Sequence, residues 1–317
     1  DTLDGKEYQI KSKVVVNATG VFVDDVMKMD ECDTRRKVRP SQGVHLVVDS
    51  KFLGGRSALM IPKTKDGRVL FGVPWHGKVV LGTTDTPLHE ASLEPRALEE
   101  EVDFILDQAG QYLDRKPTRA DVLSIFAGLR PLAAPTHADS KKTKEISRNH
   151  KIYRSKSGLL TITGGKWTTY RAMAEDVINQ AIVIGGLSPA ECVTKNLRVH
   201  GYTKEQFDEN DWNYVYGSDA GKIQKMIEKE PSFAEKLYEG YTFTAAHVVW
   251  AAREEFAQNI EDVLARRVRM LFLDARAALK IAPKVASVLA AELGKDKTWE
   301  QAQIADFNRL ARGYILN

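Results

Sequence analysis

Residues 159–178 read LLTITGGKWTTYRAMAEDVI, and this stretch decides how the chain is read. A short apolar strand runs into Gly164-Gly165, then Lys166, then an amphipathic helix. Glycine tolerates positive φ and lets a ligand approach the backbone closely. The first amides of a helix have no intrahelical acceptor, and the helix dipole adds a positive end. The stretch therefore offers backbone donors and the Lys166 ammonium to an anionic or electron-rich group. A Gly-Gly turn is also an ordinary strand-to-helix connection, so its weight depends on what the rest of the chain supplies.

Working outward, 146–153 and 159–163 predict a hairpin around Ser155-Lys156-Ser157-Gly158. The helix from 168 to 184 stops at Gly185-Gly186. Beyond it the texture becomes helical, with helices predicted over 217–228, 232–237, 244–256, 263–279 and 282–293. Upstream, 39–85 reads as a β meander. Val44, Leu46 and Val48 alternate with His45 and Val47, and Lys65-Asp66-Gly67 and His76-Gly77-Lys78 supply hairpin turns. A helix follows, capped by Ser92 with Pro95 in its first turn, its apolar face made by Leu98, Val102, Ile105, Leu106, Ala109 and Leu113. Residues 121–130 then read as a strand. At the start, 1–20 predicts a hairpin turning at 3–6. Val14-Val15-Val16 has the continuous apolar character of a strand buried on both faces. Such a strand needs neighbours that lie nowhere nearby in sequence, so a preceding segment is expected to complete its sheet.

A chain of 317 residues exceeds one small core and predicts two or three domains. With 43% hydrophobic and 28% charged residues and a net charge of +3, it has neither a disordered composition nor a basic excess that argues for nucleic acid. Cys32 and Cys192, the 2 cysteines, stand in no metal-ligand spacing and suit a reducing compartment. No apolar run approaches the roughly 20 residues of a membrane span, and no signal-peptide pattern is legible.

Four segments place small residues and single basic groups at strand ends. Asn17-Ala18-Thr19-Gly20 closes a buried strand and leaves room for a ligand on the backbone. Ser41-Gln42-Gly43-Val44-His45 carries a lone strand histidine, a type that is more often structural than catalytic. Gly128-Leu129-Arg130-Pro131 holds Arg130 extended ahead of a proline, although an isolated arginine usually makes a surface ion pair. The fourth is Gly164-Gly165-Lys166-Trp167-Thr168-Thr169-Tyr170-Arg171.

Together, VVVNATGVFVDDV, RPSQGVHLVV, MIPKTKDGRVLFGVPWHGKVVLGTTDT, GLRPL, ISRNHKIY and GGKWTTYRAMAEDVI resemble, in order and spacing, the FAD-dependent glycerol-3-phosphate dehydrogenases. AAREEFAQNIEDVLARRVRMLFLDARAA resembles the C-terminal domain of that family. Each motif alone is weak; in combination they are specific. The family's strand, G-x-G-x-x-G loop and helix for the FAD pyrophosphate are not found, so the chain resembles the C-terminal two-thirds of the enzyme and is expected to be inactive alone.

The resemblance implies α/β plus α architecture: a remnant of an FAD-binding α/β domain (1–38 and 159–186), an antiparallel β-sheet substrate domain (39–158) and a C-terminal helical domain (187–317). It implies oxidation of the C2 hydroxyl of sn-glycerol 3-phosphate to dihydroxyacetone phosphate, with hydride transfer to FAD and electrons passed to a quinone. Arg130 and Arg148 are implied phosphate ligands, since a guanidinium fork matches phosphate oxygens. Read without the family, Arg148 belongs to a solvated basic loop with Lys141, Lys142, Lys144 and Lys151. His45 is the first candidate for the base, with an ordinary pKa suited to neutral pH. Lys166 is the second, or it steadies alkoxide charge and contacts substrate. Asn17, Ala18 and Gly20 would line the FAD, and Gly165, Lys166, Trp167 and Thr168 would face the flavin. Thr83-Thr84-Asp85 is assigned structure, Asp85 bracing a turn, while Trp75 and His76 pack a hairpin end.

No metal and no nucleic acid are expected. The resemblance places the enzyme in the cytoplasm, peripheral at the inner face of the cell membrane, and admits a homodimer. Alternatives that stay open are a flavin amine-oxidase relative, an oxygen-using glycerol-3-phosphate oxidase, and a helical tail whose Arg266, Arg267 and Arg269 dock a membrane or partner; a charged helix face is usually only solvated.

Overall fold

The computed structural model describes residues 1–134, 149–206, 208 and 211–316. Its strands are β1 (Val16–Asn17), β2 (Val38–Asp49), β3 (Leu59–Ile61), β4 (Leu70–Trp75), β5 (Lys78–Gly82), β6 (Thr86–Pro87), β7 (Ser124–Ala133), β8 (Lys151–Arg154) and β9 (Leu160–Thr163). Its helices are α1 (Val23–Asp30), α2 (Glu99–Gly110), α3 (Tyr170–Ile184), α4 (Ala220–Lys229), α5 (Ala245–Glu254), α6 (Met270–Leu273), α7 (Ala275–Leu293) and α8 (Lys297–Ala311). The chain forms two compact units, Asp1–Gln42 with Asp85–Pro95 and Gly128–Leu197, and Gly43–Thr84 with Arg96–Ala127 and Arg198–Asn317.

The first unit centres on a sheet ordered β1-β9-β8. β1 runs parallel to β9 with Val16 opposite Leu160, and β8 returns antiparallel with Ile152 opposite Ile162. Leu160 and Ile162 meet Val177 and Ala181 of α3, flanked by Val14, Val16, Ile152 and Met173. Glycine ends α3 as its sequence predicts. Asp24 of α1 accepts the amides of Lys37 and Val38 at 2.7 and 3.0 Å and so fixes where β2 begins.

Two expectations for this unit are corrected. The 1–20 hairpin does not form. Residues 1–6 make a turn closed by Gly5 N–H to Asp1 C=O, but no strand precedes Val16, because Tyr8 and Ile10 meet no apolar face and lie exposed. Nor is 14–16 buried on both faces. Val14 and Val16 join the α3 side, while Val15 on the other face is 57% exposed.

The second unit has a broad core. β3, β4, β5 and the part of β2 from Gly43 make an antiparallel meander, Leu46 opposite Leu81 and Val48 opposite Val79. Val44, Leu46 and Val48 pack with Ile105 and Leu106 of α2. Val47 is also buried, so the alternation marks two covered faces. His76-Gly77 forms the two-residue β4–β5 turn with φ of 46° and 68°. The helices build a further core around Phe243, Leu264, Leu271, Val285 and Leu289.

Several boundaries differ from the sequence prediction. The helix expected from Ser92 and Pro95 starts at Glu99, where Glu101 accepts the Leu98 amide at 3.0 Å. The 217–228 helix begins only at Ala220, after Gly217 at φ 51°. Residues 232–237 give a single 3₁₀ turn, Pro231–Ala234. The 263–279 helix is broken into a π turn (Asp262–Arg267), α6 and α7, because Arg269 is left-handed at φ 55° and Asp274 is extended, accepting Ala277 N–H as a cap. The break at 280–281 predicted before Pro283 does not occur; α7 carries Pro283 inside it. α8 was not anticipated, though Asp296 capping Trp299 N–H at 2.8 Å is a legible start signal. Among the described residues no helix is long and apolar enough to cross a membrane, and no group of three or more His, Cys, Asp and Glu is arranged to hold a metal ion.

Candidate functional site

In the first unit, Asn17 ends β1 buried, and its side chain is spent on the protein. Its amide donates to Val23 C=O at 2.9 Å and Thr161 Oγ1 at 3.2 Å, and its oxygen accepts Thr19 Oγ1 at 2.7 Å. What these bonds leave outward is the turn itself: Ala18 is exposed, and Gly20 at φ 63° has nothing within 4 Å of where a Cβ would stand. A ligand here meets backbone, not the Asn17 amide.

The Gly164-Gly165 turn is demanded by local crowding. Both glycines are left-handed, at φ 77° and 72°; a Cβ would come within 2.9 Å of Asn149 C=O at Gly164 and 2.4 Å of Met173 Sδ at Gly165. Lys166 follows extended and exposed. Its amide donates to Thr169 Oγ1 at 3.2 Å, so of the amides expected to face a ligand, those of Trp167 and Thr168 open the helical run. Trp167, 84% exposed, stacks on Tyr170 at 5.1 Å. The Thr163 hydroxyl just before the turn is buried without a hydrogen-bond partner among the described residues. Beside the turn, which sequence reasoning passed over, His150 Nε2 pairs with Asp176 Oδ2 at 2.8 Å in a groove of about 350 Å³ completed by Ile152, Asn179 and Gln180.

Arg130, on β7, lies with Nη1 3.8 Å from Asp85 Oδ1. Asp85 also accepts from Ser41 Oγ of β2. Asp85 thus meets more than a turn: its carboxylate lies beside the guanidinium of Arg130 within β7. Arg148 lies outside the described residues, so the expected meeting of Arg130, Arg148 and Lys166 stays an expectation; Arg130 and Lys166 belong to the same unit.

His45 belongs to the second unit. It stands opposite Gly82 on β5, where a Cβ would meet its Cδ2 at 2.4 Å. Its ring stacks on Phe126 at 5.3 Å and 21°. Neither Gly82 nor Phe126 was singled out by sequence reasoning; glycine in a strand is the one signal that pointed there. Two residues beyond Gly82, Thr84 Oγ1 accepts Val44 N–H at 3.0 Å and donates to Glu101 at 2.8 Å, a structural tie from strand to helix. His76 sits among Trp75, Trp212 and Tyr214 at 5.3–5.7 Å, and burial pushes its pKa down.

Comparison with known proteins bears on these sites. Residues 1–171 match the family model described as FAD dependent oxidoreductase, and 160–300 match the C-terminal domain of alpha-glycerophosphate oxidase. A mitochondrial glycerol-3-phosphate dehydrogenase of Arabidopsis thaliana is 39% identical over 96% of this chain and 52% of its own length. The mitochondrial enzyme of Bos taurus is 36% identical over 96% of this chain and 44% of its own. The chain thus spans about half the length of the curated relatives it matches. The structure of the glycerol-3-phosphate dehydrogenase from Bacillus halodurans complexed with FAD matches with a TM-score of 0.83 at 27% identity, covering 99% of this chain and 65% of that one.

Proposed function

The chain belongs to the FAD-dependent oxidoreductase family, and from that membership we propose that it forms part of an enzyme oxidising sn-glycerol 3-phosphate at C2 to dihydroxyacetone phosphate. One observation carries the reading. A single compact unit holds both a guanidinium beside a carboxylate, Arg130 near Asp85, and the crowded glycine turn that leads Lys166 into a helix start. The first suits a phosphate dianion, the second an electron-rich ring edge.

FAD fits the residues present. Two left-handed glycines, an open backbone turn at Ala18–Gly20 and a helix start beside exposed Trp167 suit a flat, anionic cofactor lying on the backbone. In this proposal Ala18, Gly20, Gly165, Trp167 and Thr168 hold it through main-chain groups. Asn17 keeps its turn in shape, and Lys166 reaches the reacting oxygen. FAD, when bound, accepts the hydride from C2. Arg130 and Arg148 bind the phosphate, and His45 or Lys166 takes the hydroxyl proton. The segments 1–38 and 159–186 serve the cofactor, 39–158 the substrate, and 187–317 forms the helical domain. A quinone is the proposed electron acceptor, which suits an enzyme resting on a membrane surface, in a cytoplasmic or organellar setting.

The test is anaerobic addition of substrates to the FAD-loaded intact enzyme of which this chain forms part. Glycerol 3-phosphate is expected to bleach the flavin's visible absorbance, and amino acids are expected to leave it unchanged; bleaching by an amino acid alone overturns the substrate assignment. Peroxide yield in air decides the acceptor, a stoichiometric yield pointing to oxygen in place of quinone.

A further inference from the structure

The imidazole of His45 packs against two groups that do no chemistry, Gly82 and Phe126. β5 and β7 both pair with β2, β5 through the His45–Gly82 pair, and Leu123, just before β7, donates its N–H to Val47 C=O at 2.8 Å. The ring lies so close over β5 that a methyl at Gly82 would sit 2.4 Å from Cδ2 and 2.9 Å from Val44 C=O. Phe126 stacks nearly parallel to it, at 5.3 Å and 21°. Phe126 is in turn gripped edge-on by Phe272 of α6, at 5.2 Å and 88°, and Phe272 by Tyr314 at 5.6 Å and 84°. α6 is pinned to β7 where the buried Ser124 hydroxyl donates to Leu271 C=O at 2.8 Å. The left-handed Arg269 that breaks the helix ahead of α6 sets where Phe272 falls.

We propose that Phe126, and Phe272 behind it, are positioning residues that fix the ring plane of His45, so that the helical segment sets the geometry of a strand histidine far from it in sequence. The terminal torsion of a histidine is broad and roughly two-fold. Backbone pairing therefore places Cβ but not the nitrogens. Stacking on Phe126 and the close approach of Gly82 restrict the plane the ring can adopt, and Phe272 keeps Phe126 from rotating out of the stack. The inference rests on the reading of His45 as the proton acceptor, for which a misplacement of about 1 Å costs about a hundredfold in rate.

The test uses the full chain with histidine rings isotopically labelled. Among the 7 histidines, His45 is expected to show ring protons shifted upfield by Phe126. Phe126→Leu removes that shift. Phe272→Leu reduces it or splits the resonance into two, and Phe272→Tyr retains it. The remaining histidine signals report that each variant is folded. An unmoved His45 resonance in a folded Phe272→Leu protein overturns the proposal, and should Phe126→Leu fail to fold, the Phe272 pair decides alone. In the FAD-loaded enzyme, Phe272→Leu is then expected to lower kcat for glycerol 3-phosphate by between about tenfold and about a hundredfold with KM little changed. A moved resonance with an unchanged kcat upholds the positioning and removes His45 from the role of base.

Discussion

The two units differ in how they earn their stability and in what they expose. In the first, the hydrophobic cluster has four buried members, Leu160, Ile162, Val177 and Ala181, while Val15, Ile178 and Val183 are 57%, 51% and 80% exposed. In the second, cores around Leu46, Ile105, Leu271 and Leu289 are filled from both strands and helices. The thin unit carries the left-handed glycine turns and the arginine beside Asp85; the thick one carries a histidine set by packing. Close backbone approach needs missing side chains, and missing side chains make a thin core. A ring held in one plane needs a packed neighbour, and half-buried His45 finds one in Phe126.

The sharpest way to break this contrast is a pair of core truncations. Leu289→Ala in α7 is expected to cost about 3–5 kcal/mol, while Leu160→Ala in β9 falls near the low end, about 2 kcal/mol. Urea denaturation followed by circular dichroism reads both losses, while fluorescence, with Trp75, Trp212, Trp250 and Trp299 all in the second unit, chiefly follows that unit and is expected to shift for Leu289→Ala and little for Leu160→Ala. An equal shift from both variants would show that the units unfold as one.

Next in size is a pH effect confined to the second unit. His247 is buried, accepts Thr244 N–H on Nδ1 at 2.9 Å and donates from Nε2 to Asn213 Oδ1 at 2.7 Å. Burial lowers its pKa from 6.5 to about 4. The unfolded chain therefore binds the proton first. The stabilisation is complete above about pH 6.5 and is lost as pH falls toward about 4, by on the order of 3 kcal/mol in all. Urea midpoints across that range are expected to fall more steeply in the native protein than in His247→Gln; parallel curves would remove this histidine from the account.

Arg130→Met sharpens the contrast from the other side. It removes a charged partner for phosphate, worth about 1.5–3 kcal/mol, so kcat/KM for glycerol 3-phosphate should fall about tenfold to about a hundredfold. The melting temperature should barely move, since the Asp85 pair is long and partly exposed. A large loss of stability with unaltered kinetics would make Arg130 a structural residue. The smallest effect is expected of Gly165→Ala. At φ 72° an L side chain costs about 1–2 kcal/mol, and the flexible end of Met173 can yield to the new methyl. A thermal melt within error of the native protein would mean that the turn adapts and is less rigid than its crowding implies.

The patterns legible in sequence were those set by neighbours along the chain. The β8–β9 hairpin, the Gly-Gly-Lys turn, the start of α3 and its glycine stop, and the His76-Gly77 turn follow from local propensity and period. So does the alternation of β2, whose Val44, Leu46 and Val48 enter the core. Where the reading failed, long-range packing had the deciding vote. Apolar periodicity across 263–279 could not show that Arg269 turns left-handed and Asp274 extends, splitting one helix into three pieces. The run 14–16 looked doubly buried because sequence records apolarity and not what lies against it.

The chain's own order of residues determined its family, its glycine turns and which side chains can bear chemistry, because those depend on residue type and spacing. Tertiary structure alone decided that Asp85 faces Arg130, that Asn17 is consumed by Val23 and Thr161, and that Phe126 and Gly82 frame His45. Side-chain orientation is fixed by contacts between segments distant in sequence, and no local pattern encodes which of two such segments will meet.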